Sequence, residues 1–235
     1  MAFQLQRPDI PKKHRPQGFE IIHEDRDLII VNKEPGILSV AALWNKTDTV
    51  HSLLNHYIRK GNSRSTKLVY VVHRLDQATS GLMVFAKSEE AQQFLKNNWQ
   101  KMQKNYFTLV HGKMRADTGI IESYLAEDED YHVHSSQDSS KGKAAKTEWE
   151  VLKENDRYSL LKITLHTGKK NQIRVHMSEN KTPVVGDSKY GLKTDRIKEL
   201  MLHSCRLQLI HPFSKEVFSV DSSLPPRFAK LLTWP

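Results

Sequence analysis

The residues best suited to chemistry form a short polar segment, residues 73–81 (HRLDQATSG). It joins two apolar, β-rich runs at 68–72 and 82–86, so both of its ends are expected to be held by buried strands. Within it, Arg74 and Asp76 project to the same side if the chain stays extended. A carboxylate can act as nucleophile or as base without a metal or redox cofactor. The alternative is that Asp76 only caps its own turn through the backbone.

The segment matches, at every defined position, the His-Arg-Leu-Asp-x-x-Thr-Ser-Gly motif of the RluA-type RNA pseudouridine synthases, and the chain resembles that family over roughly residues 19–221. Further family-like elements follow in the expected order. They are the tyrosine-containing strand at 104–112, the Gln-Ile-Arg-x-His segment within 167–176, the Gly-Asp-x-x-Tyr-Gly turn at 186–191, and the Leu-His and His-Pro elements at 202–203 and 211–212.

By this resemblance, Asp76 is the catalytic carboxylate in the isomerisation of uridine to pseudouridine. Three routes stay open: attack on the ribose C1′, attack on uracil C6, or removal of a ribose proton. A shielded, ionised carboxylate calls for a positive neighbour, and Arg174 is the family match. Tyr106 is expected to pack against the uracil and to take part in transfer of the C5 proton. Judged without the resemblance, Arg174 fits a surface phosphate contact or a solvated helix residue, and Tyr106 a half-buried core tyrosine.

Substrate-binding roles also follow from the resemblance. A stacked base must flip out to reach a recessed carboxylate, and the planar guanidinium of Arg74 can fill the vacated stack. Leu202 supplies an apolar wall behind the uracil, although a core leucine looks the same. Lys169 and Lys170 precede a predicted helix at 172–178 and are expected to bind RNA phosphate, the alternative being a solvated charge pair. Here Lys169 and Asn171 replace the arginine and histidine usual in the family, which bears on substrate choice.

Composition agrees with an RNA partner. The 235 residues carry a formal net charge of +9 with a pI of about 9.5. One cysteine, Cys205, excludes an intramolecular disulfide and a cysteine-cluster metal site, which favours a reducing cytoplasm. No apolar run approaches the roughly 18 residues needed to span a bilayer. We therefore expect a cytoplasmic protein without membrane contact. The carboxylate chemistry needs no metal or other cofactor, and a monomer is the default expectation for an enzyme whose RNA must wrap the active-site face.

Short strands joined mainly by turns predict an α+β fold, with a mixed, mainly antiparallel sheet flanked by helices and loops, the pseudouridine synthase fold. Residues 19–235 are expected to form one catalytic domain without an S4 domain. Residues 1–18, basic and rich in proline, are expected to form a mobile arm. Helices are predicted at 49–59, with Asp48 or Thr49 as the cap, and from Ser88 onward. The polar stretch 127–143 is predicted to be an exposed loop.

The function that these observations favour is an RNA pseudouridine synthase, an isomerase acting on structured rRNA or tRNA. The alternative is a catalytically silent RNA-binding or ribosome-assembly factor on the same fold. A nucleotide or glycosyl hydrolase would need a second carboxylate beside Asp76, and no paired acid stands at a suggestive spacing near that segment.

Overall fold

The structure is a computed structural model that describes residues 4–62, 64–136 and 138–233. Eleven strands and four α-helices are formed by these residues. In chain order they are β1 Phe19–Glu24, β2 Leu28–Lys33, α1 Val50–Arg59, β3 Tyr70–Val71, β4 Ser80–Ala86, α2 Glu89–Asn98, β5 Gln103–His111, β6 Thr118–Glu127, β7 Val133–Ser136, β8 Lys143–Glu154, β9 Tyr158–Leu165, α3 Gln172–Glu179, β10 Leu202–Ile210, β11 Val217–Asp221 and α4 Pro226–Leu232.

The chain divides into two compact units. The first comprises Met1–Met102 and Arg206–Ser222, and the second comprises Gln103–Cys205 and Ser223–Pro235. Strand β10 therefore begins in the second unit and ends in the first.

In the first unit, β2 pairs with β1 and with β4, β3 pairs with β4, and β10 pairs with β11, all antiparallel. Every residue of β4 is buried, in agreement with the apolar run at 82–86. One core cluster unites these strands with α2, through residues such as Leu28, Val84, Leu95 and Phe218. This core holds the start of β4, where the polar segment 73–81 ends.

The two helices of the first unit begin where their capping residues predict. The Thr49 hydroxyl accepts the backbone N–H of Ser52, and the Ser88 hydroxyl accepts the N–H of Ala91. Each hydroxyl satisfies one of the four N–H groups that a helix start leaves without a partner in the helix. The choice between Asp48 and Thr49 as the cap of α1 is thereby decided in favour of Thr49.

In the second unit, antiparallel pairing runs in the order β5-β9-β8-β6-β7. Two core clusters support this sheet. One includes Leu109, Leu160 and Phe228, and the other includes Val133 and Val175. The second cluster fixes α3, the helix that carries Arg174.

The prediction of an exposed loop at 127–143 was wrong in part, because β7 lies within it and β8 begins at its end. Val133 is buried against Leu125 and Val175, and β7 pairs with β6. The other residues of β7 are exposed or half-buried, and all three are polar. A single buried residue on an edge strand is too weak a pattern to be recognised without the pairing partner.

Residues 4–18 lie beside β1 and β2 within the first unit. The Gln6 backbone N–H donates to Nδ1 of His23, and the Gln6 carbonyl accepts the N–H of Glu24. Gly18 accepts the N–H of Glu34. The mobility predicted for residues 1–18 stays a prediction, as does the boundary at residue 19, and residues 1–3 lie outside the described residues.

Gly186 offers a test of backbone fit in the second unit. Its φ is +75°, and a Cβ there would overlap the carbonyl oxygen of Glu199. We expect Gly186→Ala to lower the free energy of unfolding by about 3 kcal/mol, since it combines a left-handed backbone with a steric clash. Gly112, with φ +79° and nothing within 4 Å of its Cβ position, is the matched control, and Gly112→Ala should lose only about 1 kcal/mol. Urea unfolding measures both, and equal losses would contradict the clash.

Candidate active site

The polar segment 73–81 joins β3 to β4 in the first unit. Leu75 is buried, Arg74 is exposed and Asp76 is half-buried, which is the alternation expected of an extended segment. The Thr79 N–H donates to the Asp76 carbonyl at 3.0 Å and closes the turn that leads into β4. The carboxylate therefore stands on a short, closed loop at the start of a fully buried strand.

The loop is tied on its other side to residues 36 and 39. The buried Ser39 hydroxyl donates to the Leu75 carbonyl at 2.7 Å, and the Leu75 N–H donates back to it at 3.1 Å. The Gly36 N–H donates to the Gln77 carbonyl at 2.8 Å, and the Gln77 amide donates to the Gly36 carbonyl at 2.8 Å. These bonds bracket Asp76 on both sides in the chain, so its main chain has little freedom to move.

Lys33, a residue that the sequence analysis did not assign to the site, lies beneath this loop with only 1% of its surface exposed. Its Nζ donates to the carbonyls of Glu34, Ile37 and Gln77, each at 2.9 Å. Burial lowers the pKa of Lys33 from 10.5 to about 7, and the charge of Asp76 acts in the opposite direction. Three carbonyl acceptors match the three N–H groups of an ammonium. A lysine that ends an apolar strand was the signal available in the sequence.

His73 holds the entry to the loop. Its Nε2 accepts the backbone N–H of Val84 at 3.1 Å, and its ring stacks on Trp99 with 4.5 Å between centroids. The histidine of the motif thus serves as an anchor to β4, which leaves Arg74 as the exposed cation of the segment.

In the second unit, Arg174 lies on α3 and is 9% exposed. Its Nε and Nη2 donate to the two carboxylate oxygens of Asp187, both at 2.7 Å, and its guanidinium carbon lies 5.2 Å from the centre of the Tyr190 ring. Such a two-point pair fixes the plane of the guanidinium as well as its position. Arg174 is therefore a buried, oriented cation and not a solvated helix residue.

Asp187 was not assigned a role from the sequence, although its turn at 186–191 was quoted for the resemblance. Burial would raise the pKa of Asp187, but the hydrogen bonds and charge of Arg174 and the backbone N–H groups of Tyr190 and Lys189 hold it below its ordinary value of 3.8. Both N–H groups donate to the same oxygen at 2.9 Å. The pair is therefore ionised at neutral pH and bound on both sides.

The second unit also contains the other residues to which the sequence analysis gave a role, on β5, on β10 and just before α3. Tyr106 lies on β5 opposite Ile163 and is buried, and Leu202 is buried at the start of β10. Burial suits a core residue equally well, so the roles of both stay predictions. Lys169 and Lys170 precede α3, as predicted.

The two lysines differ in their surroundings. Lys169 is half-buried, and its backbone N–H donates to the Gln172 side chain at 3.0 Å. Lys170 is exposed, forms an ion pair with Glu127, and lies 5.4 Å from the centre of the Tyr131 ring. An exposed ion pair contributes about 0 to 1 kcal/mol, so Glu127 does not hold Lys170 firmly, and the phosphate-binding roles of both lysines stay predictions.

Among the described residues, Asp25, Asp27 and His211 offer one group of potential metal ligands in the first unit. The Asp25 carboxylate already accepts hydrogen bonds from His23 and His211 and from two backbone N–H groups, at 2.7–3.0 Å. These bonds account for the cluster without an ion, and the prediction of no metal or cofactor stays a prediction. None of the described helices has the length and apolar character to cross a membrane.

A sequence profile of the RNA pseudouridylate synthase family matches residues 27–179, which include both the Asp76 loop and Arg174. The chain belongs to this family. The resemblance to RluA-type RNA pseudouridine synthases stated from the sequence is thereby confirmed, and so is the prediction of an RNA pseudouridine synthase, an isomerase.

Relatives of known name agree with this assignment. The chain is 34% identical over 223 residues to "Ribosomal large subunit pseudouridine synthase D" of Borreliella burgdorferi, covering 91% of this chain and 67% of that protein. It is 32% identical over 210 residues to an uncharacterized RNA pseudouridine synthase of Bacillus subtilis, covering 88% and 68%.

Solved structures share the fold. "Human RNA Pseudouridylate Synthase Domain Containing 4" aligns with a TM-score of 0.74 and 22% identity over 89% of this chain and 90% of that one. The human protein named as domain containing 1 aligns with a TM-score of 0.71 and 24% identity over 87% and 83%. The predicted α+β pseudouridine synthase fold is therefore confirmed.

The Arg174–Asp187 pair predicts an acid-sensitive contribution to stability. At pH 7, Asp187→Asn should lower the free energy of unfolding by about 3 kcal/mol or more, because it leaves a buried guanidinium without its counter-charge. The pKa of Asp187 is lowered on folding, so its contribution is complete well above pH 3.8 and is lost as the pH falls below that value.

Urea unfolding of the wild type and Asp187→Asn at pH 7 and in steps below pH 4 tests this expectation. The difference between the two proteins should shrink in acid. Asp156→Asn is the control, since that side chain is 96% exposed and should change stability little at any pH. A difference that stays constant with pH would show that the charge of Asp187 is not what stabilises the pair.

Proposed function

We propose that this protein converts specific uridines to pseudouridine in structured rRNA or tRNA, with Asp76 as the catalytic carboxylate. The observation that carries the proposal is the Asp76 loop itself. It has the complete family motif, and hydrogen bonds from Ser39, Gly36 and Thr79 secure the residues around the carboxylate.

The reaction sets clear demands on the site. The bond between uracil N1 and ribose C1′ breaks, the base turns while it is still held, C5 bonds to C1′, and the C5 proton leaves while N1 gains one. Atoms and charge therefore balance without a cofactor. Asp76 serves as nucleophile or base in this sequence, by one of the three routes named above.

A catalytic carboxylate needs neighbours that hold its orientation. Within the first unit, Asp76 is close enough to Lys33 for its charge to raise the pKa of that lysine against the effect of burial. Arg174 is proposed as the cation that orients Asp76 during the reaction, and its support is that Asp187 already holds the guanidinium rigid. Tyr106 is proposed to pack on the uracil and to assist loss of the C5 proton.

Arg74 is proposed to flip the target base. It is exposed, it stands two residues before Asp76, and its planar guanidinium suits a vacated base stack. Leu202 is proposed as the wall behind the uracil, and Lys169 and Lys170 as phosphate contacts.

The name of the Borreliella relative makes large-subunit rRNA the first RNA to test, with tRNA second. A cytoplasmic monomer is proposed; the single cysteine, which is buried, is in keeping with a reducing compartment. The alternative of a silent RNA-binding or ribosome-assembly factor has no specific observation in its favour.

The role of Asp76 is tested by release of tritium from 5-tritiated uridine in unmodified rRNA and tRNA. Wild-type protein should release tritium, and Asp76→Asn should lower the rate by roughly 10³-fold or more while it still binds the RNA. Asp156→Asn, a change of the same type at an exposed site, should leave the rate unchanged.

The same assay separates the rival functions. A wild type that binds RNA and releases no tritium from either class would support the silent factor and overturn the proposal. Appearance of free uracil would indicate a hydrolase instead.

The flipping role predicts a particular order among variants of Arg74. Arg74→Ala should lower kcat/KM by roughly tenfold to hundredfold, because base flipping costs a few kcal/mol that the guanidinium no longer offsets. Arg74→Lys should recover little of the loss, since an ammonium does not stack like a base. Arg115→Ala, at an exposed site of the second unit, controls for lost charge. Full activity in Arg74→Lys would mean that Arg74 supplies charge alone.

A further inference from the structure

The two most exposed large apolar side chains in the described part of the first unit are those of residues 43 and 44, here called the Leu43–Trp44 tip. Leu43 is 94% exposed and Trp44 is 77% exposed, and they are neighbours in the chain. Tryptophan offers more apolar area for burial than other side chains, so leaving one in water is unfavourable unless it meets a partner. Neither the fold nor the reaction described above uses this tip.

The tip is built by local hydrogen bonds. The Ala42 N–H donates to the Asn45 carbonyl at 2.9 Å, and the Asn45 N–H donates back to the Ala42 carbonyl at 3.2 Å, which makes a two-residue hairpin turn. The Asn45 side chain then accepts the N–H groups of Thr47 and Asp48 at 3.2 and 2.9 Å. Leu43 and Trp44 are thus held at the end of a defined turn.

The base of this hairpin is joined to the Asp76 loop. The Val50 N–H donates to the Leu38 carbonyl at 2.9 Å, and the His51 N–H donates to the Ser39 carbonyl at 3.1 Å. The same Ser39 exchanges two hydrogen bonds with Leu75 through its hydroxyl. Trp44 is five positions after Ser39 in the chain, so their Cα atoms are at most roughly 18 Å apart. That distance corresponds to a few nucleotides of RNA.

The charge of the first unit near this hairpin favours a polyanion. Lys46 is exposed two residues beyond Trp44. Residues 60–67 follow the other end of α1, a helix length of roughly 15 Å from the hairpin, and they contain three basic residues and no acidic one. Two apolar side chains are too few for a stable protein interface or for burial in a bilayer, whereas one indole suffices to stack on one base.

We propose that the Leu43–Trp44 tip is a second RNA contact, in which Trp44 stacks on an unpaired base that flanks the modified uridine. The inference rests on the proposed function, because the base belongs to the same RNA substrate. Leu43 covers the edge of that base, and Lys46 meets the adjoining phosphate. Stacking is tolerant of base identity, so the tip selects RNA with unpaired nucleotides beside the target and reads no particular sequence.

Trp44 can report its own contact, because a base stacked on indole quenches its emission. The probes are a uridine-rich RNA stem-loop and a fully paired RNA duplex of the same length. Wild-type emission should fall with the stem-loop and change little with the duplex. In Trp44→Phe the quenching should disappear while stem-loop affinity stays within about threefold of wild type. In Trp44→Ala stem-loop affinity should fall roughly tenfold.

Phe213→Ala is the matched control. Phe213 is another aromatic residue of the first unit at a turn and is 72% exposed, and its ring centre lies 5.8 Å from the guanidinium carbon of Arg26. Its removal should change stem-loop affinity by less than twofold. Both substituted side chains are exposed, so neither variant should alter folding.

Turnover on unmodified rRNA supplies the second measurement. Trp44→Ala should raise KM roughly tenfold with kcat nearly unchanged, and Trp44→Phe should restore KM. Stem-loop affinity in Trp44→Ala equal to that of wild type would overturn the inference, as would emission that responds to vesicles of anionic lipid and not to RNA. A wild type that releases no tritium would defeat the proposed function, whereas the quenching experiment would still decide whether Trp44 stacks on RNA.

Discussion

The buried ammonium of Lys33 is the constraint on which the Asp76 loop depends. A charge removed from water is strongly unfavourable unless hydrogen-bond acceptors replace the lost solvent. Here three carbonyls, from Glu34, Ile37 and Gln77, converge on one Nζ. Two of them belong to the turn after β2 and the third belongs to the loop that carries Asp76. The ammonium therefore joins two segments that are 44 residues apart in the chain, and the bonds of Ser39 and Gly36 continue the same junction.

In the second unit, Arg174 and Asp187 are likewise charged groups that are buried and compensated by partners. Each charge alone would be costly to bury, but the two-point pair and two backbone N–H groups compensate for the lost water. The orientation of the guanidinium is established when the protein folds and does not await the substrate. A preorganised cation of this kind suits the positioning role proposed for Arg174, since no reorganisation of the guanidinium is needed when it meets a charged partner.

Two features of this chain suit RNA binding: its positive charge and its exposed planar side chains. The net charge of +9 supplies attraction that is independent of sequence and sensitive to salt. Exposed planar groups, the Arg74 guanidinium and the Trp44 indole, offer contacts that only an unpaired base can make. Because both stand on segments tied to Ser39 and Leu75, the proposed stacking contact and the carboxylate are mounted on one piece of structure.

The sequence by itself determined the family, the Asp76 segment and most of the elements around it. These signals are local: a nine-residue motif, an apolar run for β4, and the hydroxyls of Thr49 and Ser88 three residues before the N–H groups they accept. Only the tertiary structure decided that Lys33 is buried and that Asp187 is the partner of Arg174. It also showed that part of the polar stretch 127–143 is a strand, in which the side chain of Val133 is buried. Burial and pairing are set by segments far apart in the chain, so a lysine, an aspartate or a lone valine cannot reveal its partner from its immediate neighbours.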